Sequence, residues 1–139
     1  MSTKDYLRQY KALVRIEKEV EEEIEALRAR YMGKAITYSG MPSSGAMHDL
    51  SDYAAEVDML FQELQEVKMD TVKMYRQINT TINGIPSATH REVLRLRYLQ
   101  CQEWRSIALF MGYSEERVYQ LHREALEMVK IPKNYSSVQ

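Results

Sequence analysis

Apolar residues recur at alternating intervals of three and four along two long stretches of this chain. This spacing constrains the fold more than any other feature of the sequence. The first stretch runs from Tyr6 to Tyr31, with Glu17 on the same strip, and the second runs from Leu50 to Ile78. Such spacing is typical of amphipathic helices that bury one narrow strip. The sequence therefore predicts an all-α protein.

A segment rich in turn-forming residues separates the two stretches. Residues 33–48 contain three of the five glycines and a Pro-Ser-Ser run, which predicts a flexible loop over residues 33–49. The second helix is expected to begin at a cap provided by Asp49, Ser51 or Asp52, and to stop at Gly84.

The two helices are expected to fold back as a long antiparallel, coiled-coil-like hairpin that forms a first domain, residues 1–84. A lone two-helix hairpin leaves much of each helix exposed on one side. We therefore expect a homo-oligomer, a dimer or a tetramer, that associates through the N-terminal helices.

Charge and cysteine content exclude several classes of protein. The formal net charge is −1, but residues 90–139 carry eight basic and six acidic residues, so the C-terminal third is the predicted polyanion-binding end. The lone Cys101 cannot form an internal disulfide or a cysteine-based zinc site, and is expected to be a small packing residue. No run of apolar residues is long enough to span a membrane, so we expect a cytoplasmic protein with no membrane partner.

Shorter helices are predicted after Pro86. Ser87 or Thr89 caps a helix that ends near Leu99, a second covers Glu103–Met111, and a third runs from Ser114 to about Ile131, where Pro132 stops it. These three helices form a predicted second domain, residues 85–132, and residues 133–139 are expected to be a loose tail.

The second and third of these helices have the spacing of a helix-turn-helix. Ala108 is small, as it must be where another helix crosses closely, and Gly112 permits the left-handed backbone of a tight turn. Val118 and Leu121 then hold the third helix against the second. Ile107 and Met111 fill the remaining apolar positions.

Residues 88–130 resemble region 4 of the sigma-70 family. The motifs that carry the resemblance are Arg91–Tyr98, Trp104–Ala108, Met111–Ser114, Glu116–Val118, Gln120-Leu121 and Ala125-Leu126. Together with the N-terminal hairpin and the YSGMPSSG linker, they make the chain similar to small sigma-like proteins of Gram-positive phages and prophages, many of them known only as domains of unknown function. The resemblance implies DNA binding and a role in transcription.

Two departures from the family limit what the resemblance implies. The chain has no segment like the sigma region that binds the −10 element, so we do not expect a complete initiation factor. Glu115 and Tyr119 stand where many family members carry arginines. We therefore expect a target other than the consensus −35 element.

The third helix presents an apolar and a polar face. Val118, Leu121, Ala125 and Met128 are predicted to point inward. The candidate DNA-binding residues are Arg105, Ser106, Ser114, Glu115, Glu116, Arg117, Tyr119, Gln120 and Arg123.

Each of the main candidates suits a particular contact. Gln120 suits an adenine edge and Glu116 a cytosine amino group, whereas Arg117 and Arg123 suit phosphates. Arg105, Ser106 and the amides that begin the second helix suit the opposite strand's backbone. Alternatively, Glu116 and Arg117 are merely solvated.

The sequence thus predicts a sequence-specific, double-stranded DNA-binding transcriptional regulator of phage or prophage type. Its third helix, about residues 114–131, would enter the major groove. Two alternatives remain open: a module that binds RNA polymerase or a sigma factor, and a phage DNA-packaging or assembly factor.

Nothing in the sequence favours an enzyme. There is no phosphate-binding glycine loop and no nucleophile elbow. His48, Asp49, Asp52 and Glu56 have metal-capable side chains, but helix capping explains the aspartates. We expect no metal, no cofactor and no catalysis.

Overall fold

The computed structural model describes residues 1–37 and 44–133, with side chains described for residues 1–33 and 50–133. Every regular element in these ranges is helical, which confirms the predicted all-α fold. The helices are α1 (Thr3–Thr37), α2 (Ser44–Asn83), α3 (Ala88–Leu94), α4 (Trp104–Met111) and α5 (Glu115–Met128), and a π-helical turn, Arg95–Leu99, continues α3.

The predicted bounds of the loop after α1 are wrong. α1 continues through Gly33 to Thr37, and α2 begins at Ser44, before the predicted caps at Asp49, Ser51 or Asp52. One glycine costs a helix interior about 1 kcal/mol relative to alanine, which a long helix can absorb. Residues 38–43 of the predicted loop and 134–139 of the predicted tail lie outside the described residues.

The chain divides into two compact units, and the first contains the C-terminal helices. It consists of residues 1–13 and the described residues from Asp70 on. Its largest core combines the start of α1, the end of α2, the π-helical turn and α5. The buried members are Tyr6, Leu7, Leu13, Met74, Ile78, Ile82, Ile85, Leu94, Tyr98, Leu99 and Ala125.

The start of α1 is fastened to the end of α2 in this unit. The hydroxyl groups of Tyr6 and Thr81 lie 2.9 Å apart and share a hydrogen bond, and Tyr10 packs edge-on against Tyr75. The two segments therefore run antiparallel. The predicted functional division after residue 84 stays a prediction. By packing, residues 1–13 and 70–83 belong to the same unit as the C-terminal helices.

The second unit contains residues 14–69. Val20 and Ile24 of α1 form its small core with Leu64 of α2, and Tyr31 stacks on Tyr53 with ring centroids 4.2 Å apart. These segments also run antiparallel. The two apolar strips are buried or half-buried as predicted, apart from Leu50, which is exposed.

Candidate nucleic-acid interface

α3 begins at the predicted cap and is tied to α5. The Ser87 side chain accepts a hydrogen bond from the backbone amide of His90, as expected for an N-cap. Nε2 of His90 lies 2.7 Å from a carboxylate oxygen of Glu124 on α5. This hydrogen bond holds the pKa of Glu124 below its usual value. The contact fixes one flank of α5 against the start of α3.

The π-helical turn Arg95–Leu99 leads into α4 and was not predicted. The amide of Gln100 donates to the carbonyl of Arg95, and the backbone then reverses at Cys101, which has a left-handed φ of 55°. The guanidinium of Arg97 lies over the Trp104 ring, 4.4 Å from its centroid. The break predicted at residues 100–102 is confirmed, and Arg97 braces the start of α4.

The turn between α4 and α5 has the predicted geometry. α4 ends at Gly112, whose φ of 73° is left-handed, and the Tyr113 amide donates to the Ala108 carbonyl. The Ser114 hydroxyl then caps α5 by accepting from the Arg117 amide at 3.1 Å. The buried residues that lock the two helices together are Val93, Leu96, Ile107, Ala108, Val118 and Leu121. The helix-turn-helix is confirmed.

The buried side of α5 differs from the prediction at two positions. His122 is buried, whereas Met128, predicted to point inward, is exposed. The prediction that this helix runs to about Ile131 is also wrong, since α5 ends at Met128. Nε2 of His122 shares a hydrogen bond with the hydroxyl of Tyr98 at 2.7 Å, and Trp104 packs edge-on against the imidazole. His122 lies one turn from both Val118 and Ala125, and this spacing was the signal that could have identified it.

Burial and nearby cations keep His122 neutral. Its pKa falls to about 4, first because burial disfavours the charged form and then because Lys4, Arg97, Arg8 and Arg123 repel a further positive charge. Burial likewise raises the pKa of Tyr98. The Tyr98–His122 pair is therefore an uncharged link between the π-helical turn and α5.

All nine candidate DNA-binding residues are exposed. Eight of them make no aromatic contact with a described residue, but the Tyr119 ring packs edge-on against Trp104, with centroids 5.3 Å apart. Arg117 and Arg123 form no ion pair with any described residue. The outward face of α5 is thus open to a partner, and Tyr119 is held in place on it.

The comparison with protein families identifies the C-terminal segment. Residues 87–130, about a third of the chain, match the family model described as Sigma-70, region 4. The segment is a sigma region 4-like helix-turn-helix domain. Region 4 is a family of DNA-binding helix-turn-helix domains. Searches of curated proteins and of solved structures found no match.

The region 4-like domain also exposes apolar side chains on α4, and Leu109 lines a groove with the candidate residues Arg105 and Glu115. Leu109 is 77% exposed and Phe110 72% exposed, both on α4. Within the described ranges, no three His, Cys, Asp or Glu side chains converge as metal ligands would. His48 and Asp49, two of the metal-capable residues in the sequence, lie outside the described side chains. No described helix has the length and apolarity needed to cross a bilayer.

Proposed function

We propose that the protein is a sequence-specific, double-stranded DNA-binding transcriptional regulator that works in the cytoplasm. The observation that carries this proposal is the open polar face of α5, held outward on a domain of a DNA-binding family. The proposal that it is of phage or prophage type rests on the resemblance of its hairpin and linker described above.

The arrangement of side chains on α5 supports a division of roles. Glu116, Gln120 and Arg123 recur at intervals of four and three, opposite the buried strip of Val118 and Leu121. In helix-turn-helix proteins the first turns of the second helix read base edges. Glu116 and Gln120 occupy those turns and are proposed to read bases, whereas the arginines are proposed to hold phosphates.

Binding of the full chain to duplex DNA across a range of salt concentrations tests the proposal. Fluorescence anisotropy with labelled fragments, selected from random sequence by the protein itself, would measure the affinity between about 50 and 200 mM salt. Displaced counterions contribute to phosphate binding, so affinity should fall steeply as salt rises. Absence of binding, or affinity that salt does not change, would contradict the proposal.

We further propose that the DNA-binding protein is a homo-oligomer, associated through the N-terminal helices. Large apolar side chains remain exposed on α2 within the second unit: Met59 is 70% exposed and Met69 56% exposed, and Phe61 is also exposed. A second copy that covers them would bring two recognition helices together, which raises avidity for paired half-sites.

The exposed apolar pair on α4 favours a second candidate function, docking on RNA polymerase or a sigma factor. Leu109 and Phe110 are large, adjacent and open to solvent, as residues at protein interfaces are before a partner binds. Retention of purified RNA polymerase by the full chain after nuclease treatment, and its loss in Leu109→Ser/Phe110→Ser, would support docking. Val72→Ser, at another exposed apolar position, is the matched control.

A further inference from the structure

A strip of positive charge follows the first turns of α1. Lys4, Arg8 and Lys11 recur at intervals of four and three, so they lie on one face of the helix. All three side chains are exposed, and none forms an ion pair with a described residue. The only acidic residue among the first thirteen is Asp5. Its carboxylate accepts a hydrogen bond from the amide of Ser2, and the charge of Arg8 also contributes to lowering its pKa, although the two side chains form no ion pair.

Packing holds this strip beside the region 4-like domain. Tyr6 and Leu7, which lie between Lys4 and Arg8 in the sequence, are completely buried. They belong to the core that also contains Tyr98 of the π-helical turn and Ala125 of α5. The first turns of α1 are therefore a fixed part of the unit that presents α5.

The start of α1 shares its core with Tyr98, whose hydroxyl is hydrogen-bonded to His122 of α5. After burial, the charges of Lys4, Arg97, Arg8 and Arg123 also contribute to lowering the pKa of His122. Those of Arg8 and Arg97 also act on Tyr98. Cations from α1, the π-helical turn and α5 therefore act on the same buried side chain, His122.

These four positive charges repel one another, so a bound anion would stabilise them. Of the four glutamates on α5, Glu124 pairs with His90 at the start of α3, and none forms an ion pair with the four cations. With four glutamates and two arginines, α5 is itself net negative. A helix of that charge needs phosphate contacts from neighbouring elements if it is to approach DNA.

We propose that Lys4 and Arg8, with Arg97 and Arg123, form a surface that binds the phosphate backbone of duplex DNA alongside α5. The inference rests on the proposed function, because a recognition helix in a major groove is flanked by phosphates on both sides. It makes the first helix of the chain part of the DNA interface. Lys11 extends the same strip along α1.

Removing two of these charges from the full chain tests the proposal. Lys4→Gln/Arg8→Gln should weaken binding to all duplex sequences alike, and should lower the slope of log affinity against log salt by about 2, close to one unit per lost phosphate contact. Arg28→Gln/Arg30→Gln removes the same charge from exposed positions elsewhere on α1 and should leave the slope unchanged. Lys4→Arg/Arg8→Lys should keep the wild-type slope.

A second measurement, made without DNA, tests whether Lys4 and Arg8 lie close to His122. If Lys4 and Arg8 lie near His122, their removal should raise the pKa of His122 followed by NMR, whereas the Arg28/Arg30 pair should not change it. An equal melting temperature for wild type and variant would show that the core is intact.

The outcomes separate this inference from the proposed function. Wild-type binding to DNA with an unchanged slope in Lys4→Gln/Arg8→Gln would overturn the inference and leave the proposed function standing. An equal loss in the Arg28/Arg30 control would also overturn it, since net charge alone would then explain the effect. A wild-type chain that does not bind DNA would overturn both.

Discussion

Gln120 and Arg123 lie on one exposed strip of α5 but offer DNA different chemistry. An amide can pair with an adenine edge, so Gln120→Ala should reduce discrimination between preferred and altered sites by about 1–3 kcal/mol. A guanidinium on a phosphate carries no sequence information. Arg123→Ala should therefore weaken all sequences alike and lower the salt slope by about 1. Competition binding with matched and single-substituted duplexes measures both effects.

Gln62→Ala is a suitable control for this pair, because Gln62 is exposed on α2 in the other compact unit. It should change neither affinity nor discrimination. If Arg123→Ala altered the sequence preference and Gln120→Ala weakened every site equally, the assignment of roles on α5 would be reversed.

His122 makes the stability of the fold depend on pH. Its pKa is about 4 in the folded protein and about 6.5 when exposed. Between these values the unfolded state binds a proton that the folded state does not. The contribution of His122 to the free energy of unfolding should therefore be constant above about pH 6.5 and fall as the pH drops toward 4. The total loss from this residue is on the order of 3 kcal/mol. Urea unfolding at several pH values measures this.

A double variant isolates that contribution. Tyr98→Phe/His122→Phe removes both partners of the buried hydrogen bond, so it leaves no polar group without a partner. Its stability should vary less than that of the wild type between pH 6.5 and 4. An equal pH dependence in the two proteins would show that other groups cause it.

At the scale of the elements, the turn between α4 and α5 depends on the backbone of Gly112. A Cβ there would meet no atom within 4 Å, but φ is 73°, a conformation that residues with side chains rarely adopt. Gly112→Ala should therefore destabilise the fold by about 1 kcal/mol or more through backbone strain alone. The free energy of unfolding in urea measures this.

Gly33→Ala is the matched control. Gly33 lies in α1, where an added Cβ also meets nothing within 4 Å, so alanine should stabilise the helix by up to about 1 kcal/mol. Destabilisation by both substitutions, or by neither, would mean that the conformation at Gly112 does not determine the effect.

The helices of the region 4-like domain were predictable because local chemistry specifies them. Ser87 and Ser114 are caps, and Gly112 is a turn residue, so the sequence indicated where these helices begin and end. The π-helical turn Arg95–Leu99 has no such local signal. The end of α1 was misjudged because a single glycine, Gly33, costs a long helix only about 1 kcal/mol and does not end it.

At the scale of the whole molecule, association through α2 is the proposal with the clearest physical measurement. Phe61→Lys/Met69→Lys would place charges among the exposed apolar side chains of the second unit. If a second copy covers them, the variant should shift from dimer or tetramer to monomer in size-exclusion chromatography with light scattering. Leu109→Lys, at an exposed position on α4 in the other unit, should leave the mass unchanged.

The mass of the wild-type protein in this experiment also distinguishes a regulator from a DNA-packaging or assembly factor. A wild-type monomer would contradict the oligomer proposal, and a large ring would favour a DNA-packaging or assembly factor over a regulator.

Part of the candidate interface could be read from the sequence and part could not. The polar face of α5 follows from helical spacing, and the six candidate residues on α5 are exposed, as are the three that precede it. The strip from Lys4 to Lys11 was missed because the glutamates later in α1 cancel it when charge is summed over residues 1–89. Only the fold shows that α1's first turns share a core with Tyr98 and Ala125.

The unit that carries the region 4-like domain is built from both ends of the described chain. Tyr6 and Leu7 share a core with Ala125, more than a hundred residues later. During synthesis, the start of α1 can pack against the end of α2 early, but its core is complete only when nearly the whole described chain has left the ribosome. A product that terminates early in α3 would retain Tyr6 and Leu7 but lack Tyr98 and Ala125. Because part of this core would be missing, such a product should be more sensitive to proteases than the full chain.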